Sequence, residues 1–181
     1  ATTARTAFDA MLQQLNDGEK DLYLYDDRFY RVYLNSQDAE FIAALRGMKF
    51  SLQFVAQSPF SSFVQRYRDQ QTIAASPTSF TVTTNGSAYT KPKFSFVAGG
   101  SNITSCTFEN LTTGQLMTFT GTVLAGNTLQ IDSEDLTVLN NSVDSIADFS
   151  GDFVKLNPGA NALKFTGSNC TLRTDWFDKW L

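Results

Sequence analysis

From about residue 78 onward, short runs of alternating apolar and polar residues follow one another, with a turn signal between most pairs. This rhythm constrains the fold more than any other feature, because a period of two residues makes a strand and not a helix. Phe80–Thr84 ends at Asn85-Gly86, and Lys93–Val97 puts Phe94 and Phe96 on one face. Thr104–Glu109 runs toward a turn at Thr113-Gly114, and Leu116–Val123 follows. Ala125-Gly126-Asn127 turns the chain into Thr128–Asp132, after which Leu136–Leu139 is short. Phe153–Leu156 leads into Asn157-Pro158-Gly159, then come Ala162–Thr166 and Cys170–Thr174. Roughly nine strands in roughly 105 residues suffice for two packed sheets, an all-β sandwich of jelly-roll type. Asn85-Gly86 and Gly126-Asn127 read as hairpin turns. Pro158-Gly159 reads as a type II turn, whose third position needs a positive φ.

The first part of the chain has a different grammar. Phe8, Met11, Leu12 and Leu15 recur at helical spacing, so residues 6–17 read as an amphipathic helix. Thr6 is placed to cap it, with Asp9 three residues on, and Gly18 to close it. Asp21–Asp26 and Phe29–Leu34 read as a β-hairpin around Asp26-Asp27. Asp38–Arg46 is ambiguous, with a helical turn presenting Phe41, Ile42 and Leu45 as one reading. Lys49–Gln57 alternates as a strand, and Ser58-Pro59 breaks it. Phe60–Gln71 carries Phe60, Phe63, Val64 and Tyr67 at helical spacing, which suggests a partly helical connector ending at Pro77. The whole is an α+β N-terminal part (helix, hairpin and strand) followed by the sandwich.

Whole classes of chemistry are missing. The 181 residues include no histidine, which removes Ser-His-Asp and Cys-His catalysis, imidazole metal ligation and imidazole pH switching. Cys106 and Cys170 are the two cysteines. They form no CxxC pair, and read either as a disulfide or as two buried thiols packed as small apolar side chains. Neither a GxGxxG nor a Walker-type loop is present. Net charge is −4, the wrong sign for a direct nucleic-acid partner. No run of apolar residues is long enough to span a membrane as a helix. Asp132, Glu134 and Asp135, and then Asp144, Asp148 and Asp152, lack the Gly-centred spacing of a calcium loop and read as solvated turns. No residue set assembles an enzyme mechanism, and no cofactor or metal is expected.

What remains is surface suited to protein contact. Tyr23, Tyr25, Tyr30 and Tyr33, with Arg28 and Arg31, make an aromatic and cationic hairpin. It reads either as a contact surface, since Tyr and Arg are enriched at binding hot spots, or as a half-buried hairpin whose tyrosine hydroxyls stay in water. Trp176, Phe177 and Trp180 crowd the C-terminus, where they either fold back onto their own domain or bury against a neighbouring chain.

Several stretches resemble siphophage distal tail proteins, the Dit family of tail-tip components. Asn85-Gly86-Ser87-Ala88-Tyr89-Thr90-Lys91-Pro92 is similar to the family's entry into its C-terminal domain. Asn110-Leu111-Thr112-Thr113-Gly114 resembles its Asn-x-Thr-Thr-Gly turn. Gly126-Asn127-Thr128-Leu129-Gln130-Ile131-Asp132 resembles a strand of the same domain, and Leu156-Asn157-Pro158-Gly159-Ala160-Asn161 resembles its Pro-Gly hairpin. Phe8–Leu34 is similar to the last part of the family's N-terminal ring domain. Phe54–Phe60 is similar to its interdomain junction, with Ser58 where an Asp is usual.

The resemblance implies that residues 1–57 are the C-terminal part of a ring-forming domain, 58–77 a connector and 78–181 a galectin-like sandwich. In the family a further stretch of ring domain precedes the helix, so the chain is expected to begin within that domain. It also implies a virion protein, assembled in the host cytoplasm into a homohexameric ring at the tail tip. Its partners would be copies of itself, the tail tube protein, and the hub and tape-measure proteins, with a host-surface glycan as a further candidate. A monomeric carbohydrate-binding module, stacking Trp176 or an exposed Tyr on a sugar face, is the alternative from a different class.

Overall fold

The apolar stripe of the first helix and the alternation of the later strands are both realised. The structure, a computed structural model, describes residues 2–25, 27–42 and 47–181. The chain divides into two compact units, Ala1–Ser62 and Phe63–Leu181.

In the first unit, helix α1 runs Thr2–Asn16. Leu12 is buried and Phe8, Met11 and Leu15 are half-buried, the stripe expected from their spacing. Gly18 ends the helix with φ +74, the left-handed conformation that glycine adopts at no steric cost. Thr6 lies inside the helix rather than at its cap, because the helix starts at Thr2, six residues before the apolar stripe begins at Phe8. Strands β1 (Lys20–Tyr25), β2 (Arg28–Ile42) and β3 (Gly47–Ala56) follow, with β1 and β3 both antiparallel to β2. The expected hairpin is present, with Asp26 outside the described residues. The helical reading of Asp38–Arg46 is corrected as far as Ile42. Residues 38–42 are strand, paired with β3 in an unbroken register from Gln37↔Leu52 to Ile42↔Gly47. Leu45 and Arg46 lie outside the described residues. Phe8 of α1 meets Phe50 of β3 at 5.4 Å between ring centres.

The second unit is a sandwich of two antiparallel sheets. The first runs in the order β4 (Ser61–Ile73), β14 (Cys170–Trp180), β6 (Lys93–Ala98), β9 (Thr128–Asp132), β10 (Thr137–Asn140) and β11 (Val143–Asp144). The second runs β12 (Phe149–Gly151), β8 (Gln115–Phe119), β7 (Cys106–Asn110), β13 (Gly159–Thr166) and β5 (Thr78–Thr84). Phenylalanines join the two layers. Phe94 of β6 lies 4.6 Å from Phe108 of β7, and Phe96 stacks on Phe165 of β13 at 5.5 Å. All four are at most 1% exposed. Tilted and offset rings at these separations add to the area they bury.

Several sequence expectations change here. Phe60–Gln71 is not a helical connector, since Ser61–Ile73 is strand β4. A four-residue spacing fits a strand face as well as a helix face. Phe63 and Tyr67 share the inner face, while Val64, counted into the helical stripe, is 42% exposed on the other side. Asn85-Gly86 is not a hairpin turn, because β5 and β6 belong to different sheets. Gly86 is needed for a close approach, since a Cβ there would run into the carbonyl oxygen of Lys179. Gly126 sits in a turn closed by Asn127 N–H to Leu124 C=O at 2.9 Å, with φ +80, on a connection between sheets rather than within a hairpin. Gly159 takes φ +86 after Pro158, as its turn requires. Phe153–Leu156 forms no strand; Leu156 makes a single bridge to Thr90. The strand expected over Leu116–Val123 stops at Phe119, and Val123 bridges Ile103 alone.

Candidate functional interfaces

The hairpin of the first unit sorts its aromatic and cationic residues by strand alternation. The register pairs Asp21 with Arg31, Tyr23 with Phe29 and Tyr33 with Val55. Tyr23, Phe29, Arg31, Tyr33 and Val55 therefore share one face, and Arg28 and Tyr30 belong to the other. Tyr25 follows a register shift and stands opposite Arg28 in the backbone pairing. On the first face Tyr23 is 58%, Tyr33 37% and Val55 49% exposed. Arg31 is held among acidic side chains, 3.9 Å from Asp21 and 4.0 Å from Glu19. Four side chains thus present aromatic, aliphatic and guanidinium surface side by side on a paired backbone.

The C-terminal aromatics are divided between the faces of β14. Trp176 is buried at 6% exposure, its Nε1 donates to Asp178 Oδ1 at 3.0 Å, and its ring stacks on Tyr67 of β4 at 5.8 Å. Trp180 meets Phe63 at 5.7 Å. Phe177 points outward beneath the Arg66 guanidinium at 5.0 Å, a cation–π contact. All three contact β4 of the same sandwich, with Trp176 buried and Phe177 and Trp180 half-buried.

A charged row on the outer face of the same sheet was not legible in the sequence. Arg68 donates to Asp175 at 2.6 Å, Asp175 pairs in register with Lys93, and Lys93 lies 3.7 Å from Asp132. Four adjacent strands thus carry alternating positive and negative charge. The hydrogen bond to Asp175 holds the Arg68 pKa above its ordinary value. The Arg68–Asp175 contact spans 107 residues of chain, so nothing local announces it.

Two motif asparagines meet inside the sandwich. Asn110 Oδ1 accepts from Thr112 N–H at 3.0 Å, shaping the turn that ends in Gly114, while Asn110 Nδ2 donates to Lys155 C=O at 2.7 Å. Asn161 closes the Pro-Gly turn. Its Oδ1 accepts from Asn157 N–H at 2.9 Å, and its Nδ2 donates to the carbonyls of Asn157 and Gly159 at 2.8 and 3.0 Å.

The acidic clusters shape turns. Asp132 Oδ1 accepts from the N–H groups of Glu134 and Asp135, Glu134 pairs with Lys179 at 3.1 Å, and Asp144 Oδ1 accepts from Ile146 N–H. Among the described residues, no group of three or more His, Cys, Asp or Glu is arranged to hold a metal ion. Cys106 and Cys170 are buried free thiols. Desolvation, with a smaller contribution from Cys170, pushes Cys106 up to about 12, and desolvation pushes Cys170 up to about 11. At neutral pH both are protonated and poor nucleophiles.

Comparison with known proteins agrees with these motifs. Residues 85–180 match the family model described as the C-terminal domain of the siphovirus-type tail component. No curated protein sequence matches the chain. Among solved structures, the chain is similar to the crystal structure of Dit (gp 19.1) of phage SPP1, entitled a paradigm of the hub adsorption apparatus in phages infecting Gram-positive bacteria. The match has a TM-score of 0.75 at 14% identity and covers 98% of this chain and 72% of that one. At that identity it establishes a shared fold.

Proposed function

The chain belongs to the siphovirus-type tail component family, and from that premise we propose that it is a non-enzymatic building block of a ring at the tail tip. As a siphophage tail component it is a virion protein. In this reading copies of the chain close a homohexamer that joins the tail tube to the hub and the receptor-binding apparatus, assembled in the host cytoplasm. The first unit supplies the contacts between copies and the sandwich faces outward. A closed ring needs a heterologous interface, two different patches on each copy related by a rotation that closes.

The observation that carries this reading is the exposed hairpin face of Tyr23, Arg31, Tyr33 and Val55. Aromatic side chains with few rotatable bonds and a guanidinium are the groups that supply most of the energy at protein interfaces. The sugar-module alternative rested partly on Trp176 as a platform, and that ring is stacked on Tyr67 inside the sandwich. Light scattering on the purified chain, with negative-stain images of the same peak, tests the proposal. Six-fold rings are expected. A monomer at every concentration overturns the ring reading.

A further inference from the structure

Strand β5 (Thr78–Thr84) ends the second sheet, and among the described residues it pairs only with β13. Its pairing is regular from Gly159↔Thr84 to Phe165↔Thr78, so one full edge of a seven-residue strand is left with unpaired backbone groups. Natural edge strands are usually guarded by a lysine or other charge, an internal proline, a bulge or shortness. The other end of this sheet follows that rule, because β12 has three residues and Gly151 at φ +96. Strand β5 has none of these devices. Its sequence is Thr-Ser-Phe-Thr-Val-Thr-Thr, without charge, and Pro77 lies just outside its paired length. Ser79, Thr81 and Thr83 face solvent, and Phe80 and Val82 face the core.

We propose that β5 is a docking edge for β5 of a second copy of this chain, joining two sandwiches across a two-fold axis through Thr81. Self-complementarity selects this occupant. An antiparallel pair centred on Thr81 places Ser79 opposite Thr83, Thr81 opposite Thr81 and Phe80 opposite Val82. Hydroxyl meets hydroxyl on the outer face, and apolar meets apolar on the inner one. A copy pairing with itself usually meets like charges somewhere along an edge, and here there are none to meet. The contact is isologous, and therefore distinct from the heterologous contact a ring requires. It goes beyond the ring reading and does not depend on it. A seven-residue strand pair is a small interface, so the association is weak and concentration-dependent.

Sedimentation velocity on the full chain from about 10 μM to about 1 mM covers the range such contacts occupy. The expected result is a doubling of mass with concentration, with amide exchange slowing at alternate residues of β5. Thr81→Lys sets two lysines face to face on the two-fold and is expected to weaken the doubling at least about tenfold. Thr81→Val keeps the strand neutral and β-branched, and is expected to retain it. Both changes lie on the solvent face, and an unchanged thermal unfolding curve confirms that each variant is folded. A mass that does not change with concentration, or a doubling indifferent to Thr81→Lys, overturns the proposal. A constant ring mass does so while leaving the ring reading intact. If β5 instead receives an extended segment of another protein, the purified chain shows no doubling and its β5 amides exchange at the same rate at all concentrations, which also overturns it.

Discussion

Asn110 and Asn161, 51 residues apart in the chain, meet in the interior of the sandwich, where Asn110 Nδ2 donates to Asn161 Oδ1 at 3.3 Å. Both are fully buried. One amide shapes the Asn-Leu-Thr-Thr-Gly turn and the other clamps the Pro-Gly turn, so two motifs that look independent in sequence form one polar node. In a buried node the cost of a missing partner exceeds the net gain from a bond made.

Asn161→Ala therefore leaves the Asn157 N–H without its acceptor and removes three further bonds, although Asn110 Nδ2 keeps the Lys155 carbonyl and the Asn157 carbonyl keeps the Thr84 hydroxyl. We expect a loss of about 2–4 kcal/mol, read as a lower urea midpoint at unchanged slope. Asn110→Ala is expected to fall in the same range. In the double variant the losses should be clearly less than additive, because both remove the same contact. Additive losses would mean that the two turns are held separately.

Gly86 and Gly100 make a matched pair. A Cβ at Gly86 meets Lys179 backbone, and one at Gly100 meets nothing within 4 Å. Gly86→Ala must push apart the segment that bridges Ala88 to Lys179, whose N–H to C=O bond is 2.9 Å. We expect a loss of about 2 kcal/mol or more at Gly86. Gly100→Ala should be neutral, or stabilising by about 0.4–1 kcal/mol through the unfolded chain. Equal effects on the melting temperature would sink the close-approach account.

The buried thiols make stability depend on alkaline pH. Both pKa values are raised by folding, from near 9 to about 12 for Cys106 and about 11 for Cys170. The stabilisation is complete below pH 9. Above it the unfolded thiols ionise while the folded ones stay protonated, so stability falls toward each folded pKa. For Cys106 the slope reaches about 1.4 kcal/mol per pH unit. Urea melts at pH 8, 9.5 and 10.5 on the chain and on Cys106→Ala should differ in slope with pH. A parallel pair of curves would show that Cys106 does not contribute.

How much of this was readable beforehand follows from what each signal encodes. Alternation located most strands of the sandwich, because Phe94 and Phe96, or Leu129 and Ile131, report a face directly. It could not say which sheet a strand joins. Asn85-Gly86 therefore reads as a hairpin turn, although the chain there crosses between layers. Helical and strand periods coincide at four residues, and Phe63 with Tyr67 satisfies both; only pairing with β14 decides. Strands of two or three residues, such as β11 and β12, have no period at all. The Arg68–Asp175–Lys93–Asp132 row depends on register between distant strands, which no local pattern records. The tyrosine hairpin was legible as chemistry, but its separation into two faces required the strand pairing of the structure.

That separation makes the interface reading sharp. Tyr33 and Val55 are cross-strand neighbours on the exposed face, whereas Tyr30 and Arg28 are on the other. Tyr33→Glu with Val55→Glu should change the stability of the isolated chain by only about 0.5 kcal/mol, as exposed substitutions usually do. If this face closes the ring, the same pair puts two carboxylates into a desolvated contact and should cost several kcal/mol of association, because residues of this kind dominate interface energy. The expected outcome is a folded monomer by light scattering. Leu116→Glu supplies the control. Leu116 is 44% exposed on the sandwich, so the substitution adds a single carboxylate at similar exposure elsewhere. It should leave assembly unchanged. Loss of the ring in both variants would point to a general effect of charge, and survival of the ring in Tyr33→Glu with Val55→Glu would move the interface off this hairpin face.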